Sequence, residues 1–288
     1  MLYDGILDII AFTDEMKNKY NKYKALTDDR IDALAFSYIN EDMPVEEVNK
    51  VICSLETEHL HRHTIKLIFL LECTGYVYEQ YKKQGISDEI YFDTMKDIKC
   101  KIKECEDVNG IFGYDSESWF GGFFKLTRFG FGRLQFDITT HQGESVEVAG
   151  RIVKEGDFMA KCHIPSSGPL LHEDCIKAYK AVYEFVKPNL NDEFLIIECH
   201  SWMLFPYYKD FFGENSNVRR FINDYELFGH FETDQFYDAW RFFGKDAKSD
   251  NLPSKTSLQR CFVDYMKTGK PYGYGKGIFL FDGKNILK

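Results

Sequence analysis

The sequence predicts an α+β protein, in which a helical N-terminal domain precedes a C-terminal α/β domain with a mixed sheet. Up to about residue 106, apolar residues recur three or four positions apart and Gly and Pro are nearly absent inside the segments, which is typical of helices. After Asn109-Gly110, short alternating segments and glycine connections replace that period and indicate strands. We place the domain boundary after residue 115, which gives domains 1–115 and 116–288.

Residues 1–106 are predicted to form four or five packed helices. Met43-Pro44-Val45-Glu46-Glu47 predicts a helix start, because proline suits the first turn and acidic residues there favour the positive end of the helix dipole. Ser87-Asp88-Glu89 predicts a second start. The apolar residues that follow it, four, three and four positions apart on one helix face, are Tyr91, Met95, Ile98 and Ile102.

In the C-terminal region the predicted elements follow the order hairpin, loop, helix, strand, helix, strand, strand. Residues 133–138 alternate like a half-buried strand, and strands over 145–154 and 157–164 are predicted to form the hairpin around Glu155-Gly156. The remaining predicted elements are a helix over 172–186, a strand over 194–197, a short helical stretch over 206–212 and strands over 220–231 and 277–281.

Charge and hydropathy exclude several classes of partner. The formal net charge is −10, the sequence pI is about 5.4, and Lys and Arg are dispersed among acidic residues, so no nucleic-acid partner is expected. Charged residues interrupt every apolar segment well before the roughly 20 residues that a membrane helix needs, and no signal peptide is visible. The eight cysteines form no C-x-x-C pair, which suits a reducing compartment. We expect a cytoplasmic protein without a membrane partner.

Several segments resemble a bacterial family called acyltransferase-domain-containing proteins, and the order of predicted elements resembles the core of the GNAT acyltransferase fold. The segments that carry the resemblance are Gly132-Arg133-Leu134-Gln135-Phe136, residues 163–170, Cys199-His200-Ser201-Trp202-Met203-Leu204, Asn215-Ser216-Asn217-Val218 and Thr256-Ser257-Leu258-Gln259-Arg260. The resemblance implies a helical N-acyltransferase-type N-terminal domain and a GNAT-like C-terminal domain. In that fold, the strands before and after the main helix separate and admit a pantetheine arm.

The resemblance also implies acyl-CoA, most simply acetyl-CoA, as a co-substrate, and no metal. A small-residue turn at a helix start presents backbone N–H groups and the positive end of the dipole to a pyrophosphate. Ser166-Ser167-Gly168, between the predicted strand and helix, is the candidate cofactor-binding segment. It departs from the usual GNAT loop, in which Gln or Arg is followed by two residues, Gly, one residue, and Gly or Ala. The alternative is a turn that leads into a helix.

Acyl transfer to an amine needs a base for the amine and a hydrogen-bond donor that orients the carbonyl. Cys199, His200 and Ser201 follow the predicted strand over 194–197 and are the candidate catalytic residues. His200 is the candidate base, since an imidazole titrates near neutrality, and Ser201 is the candidate donor. The alternative is that strand alternation buries one or two of the three in the core. His163 is a further candidate with the same alternative.

A metal site is not predicted. His59 and His63 would share a helix face four positions apart, which is the spacing of two metal ligands. However, the segment lacks H-E-x-x-H, and the nearby Lys and Arg residues oppose a cation.

These observations predict transfer of an acyl group, most simply acetyl, from coenzyme A to the amine of a small molecule or peptide, by direct attack. One alternative is a protein that keeps the fold to bind a ligand or partner without catalysis, which the missing standard phosphate loop favours. Another is a hydrolase that uses Ser201 or Cys199, although no G-x-S-x-G motif supports it. The acceptor, the acyl chain length and the oligomeric state stay open.

Overall fold

The computed structural model describes residues 2–116, 119–248 and 252–288. The chain forms two compact units, Met1–Gly130 and Phe131–Lys288. The first unit is helical and the second contains a mixed sheet, so the predicted α+β class and the order of the two regions are confirmed. Within the described residues, no helix combines the length and the apolar content that crossing a bilayer requires.

Helices make up the first unit. Within its described residues they are α1 (Ile6–Ile9), α2 (Asp14–Lys24), α3 (Arg30–Asn40), α4 (Val45–Ser54), α5 (Arg62–Lys83), α6 (Asp88–Met95), α7 (Asp97–Asn109) and α8 (Gly121–Phe124). Every residue of α5 from Thr64 to Gly75 is buried, so this helix is covered on all sides and forms the centre of the unit.

Both predicted helix starts are confirmed. α4 begins directly after Pro44. α6 begins after Ser87, whose hydroxyl accepts a hydrogen bond from the Ile90 backbone N–H (3.4 Å). The predicted apolar run after this start is buried throughout, but it spans α6 and α7, which meet at Lys96. The described residues before Gly110 contain seven helices, more than the four or five predicted, because several are short.

Aromatic side chains of residues 119–130 pack within the first unit, although the predicted boundary lies after residue 115. Phe124 contacts Tyr38 (ring centroids 6.0 Å apart), and Phe120 contacts Tyr114 (5.1 Å). Burial of these rings extends the helical unit to Gly130. A division into separate domains 1–115 and 116–288 stays a prediction.

The mixed sheet has seven strands in the spatial order β1-β2-β5-β6-β8-β7, with β9 paired to β8. The second unit contains all of these strands except β1, which spans the boundary at Gly130, and also contains a separate β3–β4 hairpin. β5 and β6 pair in parallel, whereas β2–β5, β6–β8 and β7–β8 pair antiparallel. The strands are β1 (Arg128–Phe131), β2 (Leu134–Thr140), β3 (Val146–Val148), β4 (Arg151–Val153), β5 (Phe158–His163), β6 (Leu195–Ser201), β7 (Glu226–Thr233), β8 (Tyr272–Phe281) and β9 (Ile286–Leu287).

Four α-helices accompany the strands in the described part of this unit. They are α9 (His172–Val186), α10 (Asn217–Ile222), α11 (Trp240–Phe243) and α12 (Ser257–Met266). Single turns or short runs of 3-10 helix cover Lys187–Asn189, Trp202–Leu204, Pro206–Phe211 and Gly244–Lys248.

A different element packs on each face of the sheet. α9 packs on one face, where Tyr179 contacts Phe136 and Phe279 (ring centroids 6.4 and 5.0 Å apart), and we call this the helix face. The β3–β4 hairpin packs on the opposite face, which we call the hairpin face. Its buried cluster consists of Val148, Val153, Ile278 and Leu280.

The predicted hairpin of strands over 145–154 and 157–164 is wrong. The chain turns instead at Ala149 and Gly150, both with positive φ (50° and 72°), so that β3 and β4 pair with each other. Positive φ at both central residues gives a turn whose twist suits a two-residue hairpin. β5 pairs with β2 on one side and with β6 on the other.

The predicted strand over 220–231 is partly wrong, because its first residues belong to α10. Ser216 caps that helix by accepting a hydrogen bond from the Arg219 backbone N–H (3.1 Å). The predicted helix over 172–186 coincides with α9, and the predicted strands over 194–197 and 277–281 overlap β6 and β8.

Candidate active site

The ladder between β5 and β6 ends before β6 does. The two strands pair in parallel as far as Cys162 opposite Cys199. β6 continues to Ser201, which lies opposite Gly275 of β8. The last residues of β6 are therefore held from the β8 side, at the point where the chain leaves β5 for α9.

A close backbone approach holds the end of β6. Trp202–Leu204 forms one turn of 3-10 helix that lies against β8. A Cβ atom at Gly275 would overlap the Leu204 carbonyl, so only glycine fits under this turn. The turn fixes the direction in which the chain leaves β6 and therefore the position of His200.

Arg133 organises the loop between β5 and α9. Its guanidinium donates to three backbone carbonyls, those of Pro165 (2.9 Å), Gly168 (3.0 Å) and Pro169 (2.9 Å). No cis peptide bond occurs in the described residues, so each carbonyl opposes the N–H of the next residue. The N–H groups of residues 166 and 170 therefore point away from the guanidinium.

The candidate phosphate cradle, Ser166-Ser167-Gly168, is exposed. Gly168 has φ +118°, and no atom lies within 4 Å of the place where its Cβ would be, so the loop leaves room for a ligand atom. The first turn of α9 carries Glu173 and Asp174, whose charges compete with any anion for the positive helix end. The backbone geometry suits a phosphate group, whereas these two side-chain charges oppose one.

The structure separates the three candidate catalytic residues, because side chains alternate along β6. Cys199 is 0% exposed on the helix face. Ser201 is buried, and its hydroxyl accepts a hydrogen bond from the Met203 backbone N–H (3.2 Å), which caps the 3-10 turn. His200 lies on the hairpin face with 30% of its side chain exposed. Of the three, His200 alone combines a titratable group with access to solvent.

Glu198 lies two residues before His200, on the same face of the strand, and is buried between two histidines. Its Oε2 is 2.8 Å from Nδ1 of His141, and its Oε1 lies in close contact with Nε2 of His200, although this contact is not aligned as a hydrogen bond. Nε2 of His141 is 3.0 Å from the Glu144 backbone carbonyl. The ring centroid of Phe228 lies 6.4 Å from the ring centroid of each imidazole, so this ring covers the cluster.

Burial and charge act against each other in this cluster. Burial disfavours the charge of Glu198, but the contacts from His200 and His141 outweigh it and hold the pKa of the carboxyl below its ordinary value. Burial also disfavours the charge of His141. The Glu144 carbonyl and the Glu198 carboxylate overcome that effect and raise the pKa of His141 above its ordinary value.

His163, the other histidine candidate, is paired elsewhere. Its Nε2 is 2.8 Å from Oδ2 of Asp137 on β2, and both side chains are mostly buried. Next to it, Cys162 lies in the core, where burial raises the pKa of its thiol well above the ordinary value.

The two histidines of the metal hypothesis do not share a helix face. α5 begins at Arg62, so His59 lies before the helix, where it is 77% exposed beside Glu58 (3.2 Å). His63 pairs with Asp115 (3.3 Å). Across residues 2–116, 119–248 and 252–288, no group of three or more His, Cys, Asp or Glu side chains is placed to hold a metal ion.

Glu198, His141 and the role of Arg133 in the loop were not predicted from the sequence. The Glu198-x-His200 spacing is a usable signal, because residues two apart share a strand face. His141 lies 57 positions from Glu198 along the chain, so no local pattern connects them.

Two family models match the chain. Residues 1–126 match the N-acyltransferase N-terminal domain, and residues 128–279 match the GNAT-like C-terminal domain. No curated protein matches the sequence.

Solved structures of acyltransferases share the fold. A mutant acyltransferase in complex with octanoyl-CoA aligns with a TM-score of 0.68 at 18% identity, over 95% of this chain and 85% of that one. An acyltransferase in complex with decanoyl-CoA and teicoplanin aligns with a TM-score of 0.60 at 16% identity, over 96% of this chain and 99% of that one. The expected GNAT-like fold is confirmed, and the chain belongs to the family that joins an N-acyltransferase N-terminal domain to a GNAT-like C-terminal domain.

Proposed function

We propose that this protein transfers an acyl group from acyl-CoA to the amine of a small molecule or peptide. The observation that carries the proposal is the early end of the β5–β6 ladder at Cys162 and Cys199, beside the loop that Arg133 organises. A pantetheine arm can hydrogen-bond to backbone groups that a ladder leaves unpaired. The similar structures with octanoyl-CoA and decanoyl-CoA support an acyl-CoA donor.

His200 is the proposed base. The amine nitrogen attacks the thioester carbonyl carbon, a C–N bond forms and the C–S bond breaks. The amine proton passes to His200, and the leaving thiolate takes a proton from solvent. Cys199 is fully buried and the Ser201 hydroxyl is used as a cap, so the hydrolase alternative has no accessible nucleophile at these positions.

We also propose an acyl group and a class of acceptor. Acetyl is the simplest donor group, whereas the acyltransferases of similar fold are in complex with octanoyl-CoA or decanoyl-CoA. One of these complexes also contains teicoplanin. An amine on a small molecule or peptide is the acceptor class that we propose for the direct attack.

Isothermal titration with acetyl-, octanoyl- and decanoyl-CoA tests donor binding, and thiol release over a panel of amines tests transfer. Gly168→Asp would place a carboxylate in the cradle and should weaken acyl-CoA binding about tenfold, that is by about 1.4 kcal/mol. Gly269→Asp is the matched control, since Gly269 also has positive φ and open space but lies after α12. Unchanged affinity of the Gly168→Asp protein would remove the loop from the donor site.

A second candidate is a protein that binds a ligand or partner without catalysis. Glu173 and Asp174 favour it, because they place negative charge where an acyl-CoA pyrophosphate would bind. Absence of binding to all three acyl-CoA donors would support this candidate over the transferase.

A further inference from the structure

Building on the proposed acyl transfer, we propose that Glu198 and His141 form a buried positioning pair that fixes the tautomer of His200. Glu198 holds Nε2 of His200 in the protonated form, which leaves Nδ1 as the nitrogen that accepts the amine proton. Glu198 and His141 contact neither substrate nor reacting atoms and act through His200.

The tautomer follows from the donors and acceptors present. An ionised carboxylate can only accept hydrogen bonds. Because Oε1 of Glu198 faces Nε2 of His200, the favourable arrangement has the hydrogen on Nε2. A neutral imidazole carries one hydrogen, so the lone pair then lies on Nδ1.

His141 explains how Glu198 stays ionised in a buried place. One ring nitrogen of His141 faces the Glu198 carboxylate and the other faces the Glu144 carbonyl, and both partners are acceptors. Two acceptors are satisfied together only when both ring nitrogens carry hydrogen, which makes His141 an imidazolium. The charges of His141 and Glu198 therefore balance each other on the hairpin face.

The cluster connects the interior with the surface. Glu198 and His141 are buried, whereas His200 is partly exposed at the end of β6. A buried ion pair alone is weak evidence for stability, because desolvation cancels much of the Coulombic gain. A pair whose third member is the exposed candidate base is the arrangement expected of an orienting carboxylate behind a catalytic histidine.

Other charged groups share this face. Lys161 on β5 lies opposite Glu198, and Lys276 on β8 lies opposite His200. Asp157, directly before β5, acts on His141 by its charge. The His163–Asp137 pair lies on β5 and β2. None of these groups lies between Glu198 and the two imidazoles, which the carboxylate contacts directly.

Nitrogen-15 NMR of histidine-labelled protein tests the inference without any substrate. At about pH 7 we expect His141 to carry hydrogen on both ring nitrogens, and we expect the neutral form of His200 to be the Nε2–H tautomer. A His200 tautomer with hydrogen on Nδ1, or a neutral His141, would overturn the inference. The measurement stands even if no acyl transfer is found, so the failure of the inference and that of the proposed function are distinguishable.

Activity measurements add a readout that a merely structural pair would not move. Glu198→Gln should lower kcat about 100-fold and leave the donor KM within about threefold, because the ring loses its orientation while the donor site is intact. The Nε2–H preference of His200 should fall in the same variant. Glu198→Asp, which keeps the charge on a shorter side chain, should recover part of the lost kcat.

The matched control is Asp224→Asn. Asp224 is also a buried carboxylate paired with a histidine, but its partner is His172 (2.8 Å) and not His200, so its replacement should leave the His200 tautomer and kcat unchanged. Equal loss of kcat in Glu198→Gln and Asp224→Asn would overturn the positioning role. If Glu198→Gln fails to fold, the NMR measurement on the unaltered protein decides.

Discussion

Two buried carboxylates of the second unit, Glu198 and Asp224, each contact a histidine, yet their pKa values move in opposite directions. Burial raises the pKa of Asp224 above its ordinary value, and the bond to His172 only offsets part of that effect. Glu198 is also penalised by burial, but His200 and His141 together bring its pKa below the ordinary value.

The opposite pKa shifts of the two carboxylates follow from the number of their histidine partners and from how deeply these partners are buried. Glu198 has two histidines, one of them buried with its second nitrogen bonded to a carbonyl. Asp224 has one histidine, 34% exposed, and the Tyr179 hydroxyl at 3.3 Å. Donors that replace the lost water favour the ionised form of a buried carboxylate, and they outweigh the effect of burial at Glu198 but not at Asp224.

The largest expected effect is a difference in stability between variants of His141, a partner of Glu198, and of His172, the partner of Asp224. His141→Ala would leave Glu198 with half of its compensation and should lower the free energy of unfolding by about 3 kcal/mol. His172→Ala should cost about 1 kcal/mol, because the pKa of Asp224 is already raised and the His172 side chain is 34% exposed. Urea denaturation of both variants measures the costs, and equal costs would contradict the explanation by number of partners.

A substitution of Phe228 tests whether its ring, which covers the cluster of Glu198 and the two histidines, contributes to stability. Its ring lies over both imidazoles, so Phe228→Ala should admit water, weaken the contacts of Glu198 and lower the free energy of unfolding by about 2 kcal/mol. Phe231→Ala is the control, since Phe231 is exposed on the same strand and should cost clearly less. Denaturation curves that shift equally for both would show that Phe228 contributes no more than an exposed ring.

The pH dependence of stability should differ in sign between the two carboxylates. The folded pKa of Glu198 is lowered, so its contribution is present above its unfolded value near 4.5 and is lost as the pH falls through the folded value. The folded pKa of Asp224 is raised, so its contribution is present below about 3.8 and is lost as the pH rises through the folded value. Glu198→Gln and Asp224→Asn should each remove one of these slopes from the thermal unfolding midpoint. Slopes of the same sign would refute the comparison.

His141 adds a third contribution to the pH dependence of stability. Its pKa is raised from 6.5, so the stability from its charge is present below that value and is lost as the pH rises through the folded value. The ion pair with Glu198 should therefore contribute most between about 4.5 and 6.5, where both groups are charged even in the unfolded chain. Double-mutant cycles at pH values inside and above this window measure the change.

The smallest effect concerns the helix that carries His172. Glu173→Gln removes one carboxylate from the first turn of α9 and should tighten acyl-CoA binding about threefold, because the helix end then favours an anion more strongly. Glu184→Gln, on the last turns of α9, is the control and should leave the affinity unchanged. Titration calorimetry compares the two, and a weaker affinity of the Glu173→Gln protein would remove the α9 N-terminus from the phosphate site.

Elements with local signals were predicted correctly, whereas pairing between distant segments was not. Pro44 and Ser87 mark helix starts through their own backbone geometry and side chains. Two glycine turns, at Ala149-Gly150 and at Glu155-Gly156, compete for one hairpin in the sequence. The structure uses the first because β5 gains two long ladders, with β2 and with β6, that the predicted hairpin would replace.

The sequence by itself determined the family, the order of a helical region before a mixed sheet, and the position of His200 near the end of the strand that follows the main helix. Those features depend on hydrophobic periodicity, helix-capping residues and short sequence motifs, which are all local along the chain. Only the tertiary structure decided that Cys199 and Ser201 turn away from His200 and that His141 meets Glu198 from 57 positions away. Which face of a strand is buried, and which distant side chain compensates a buried charge, depend on the packing of segments that the sequence keeps apart.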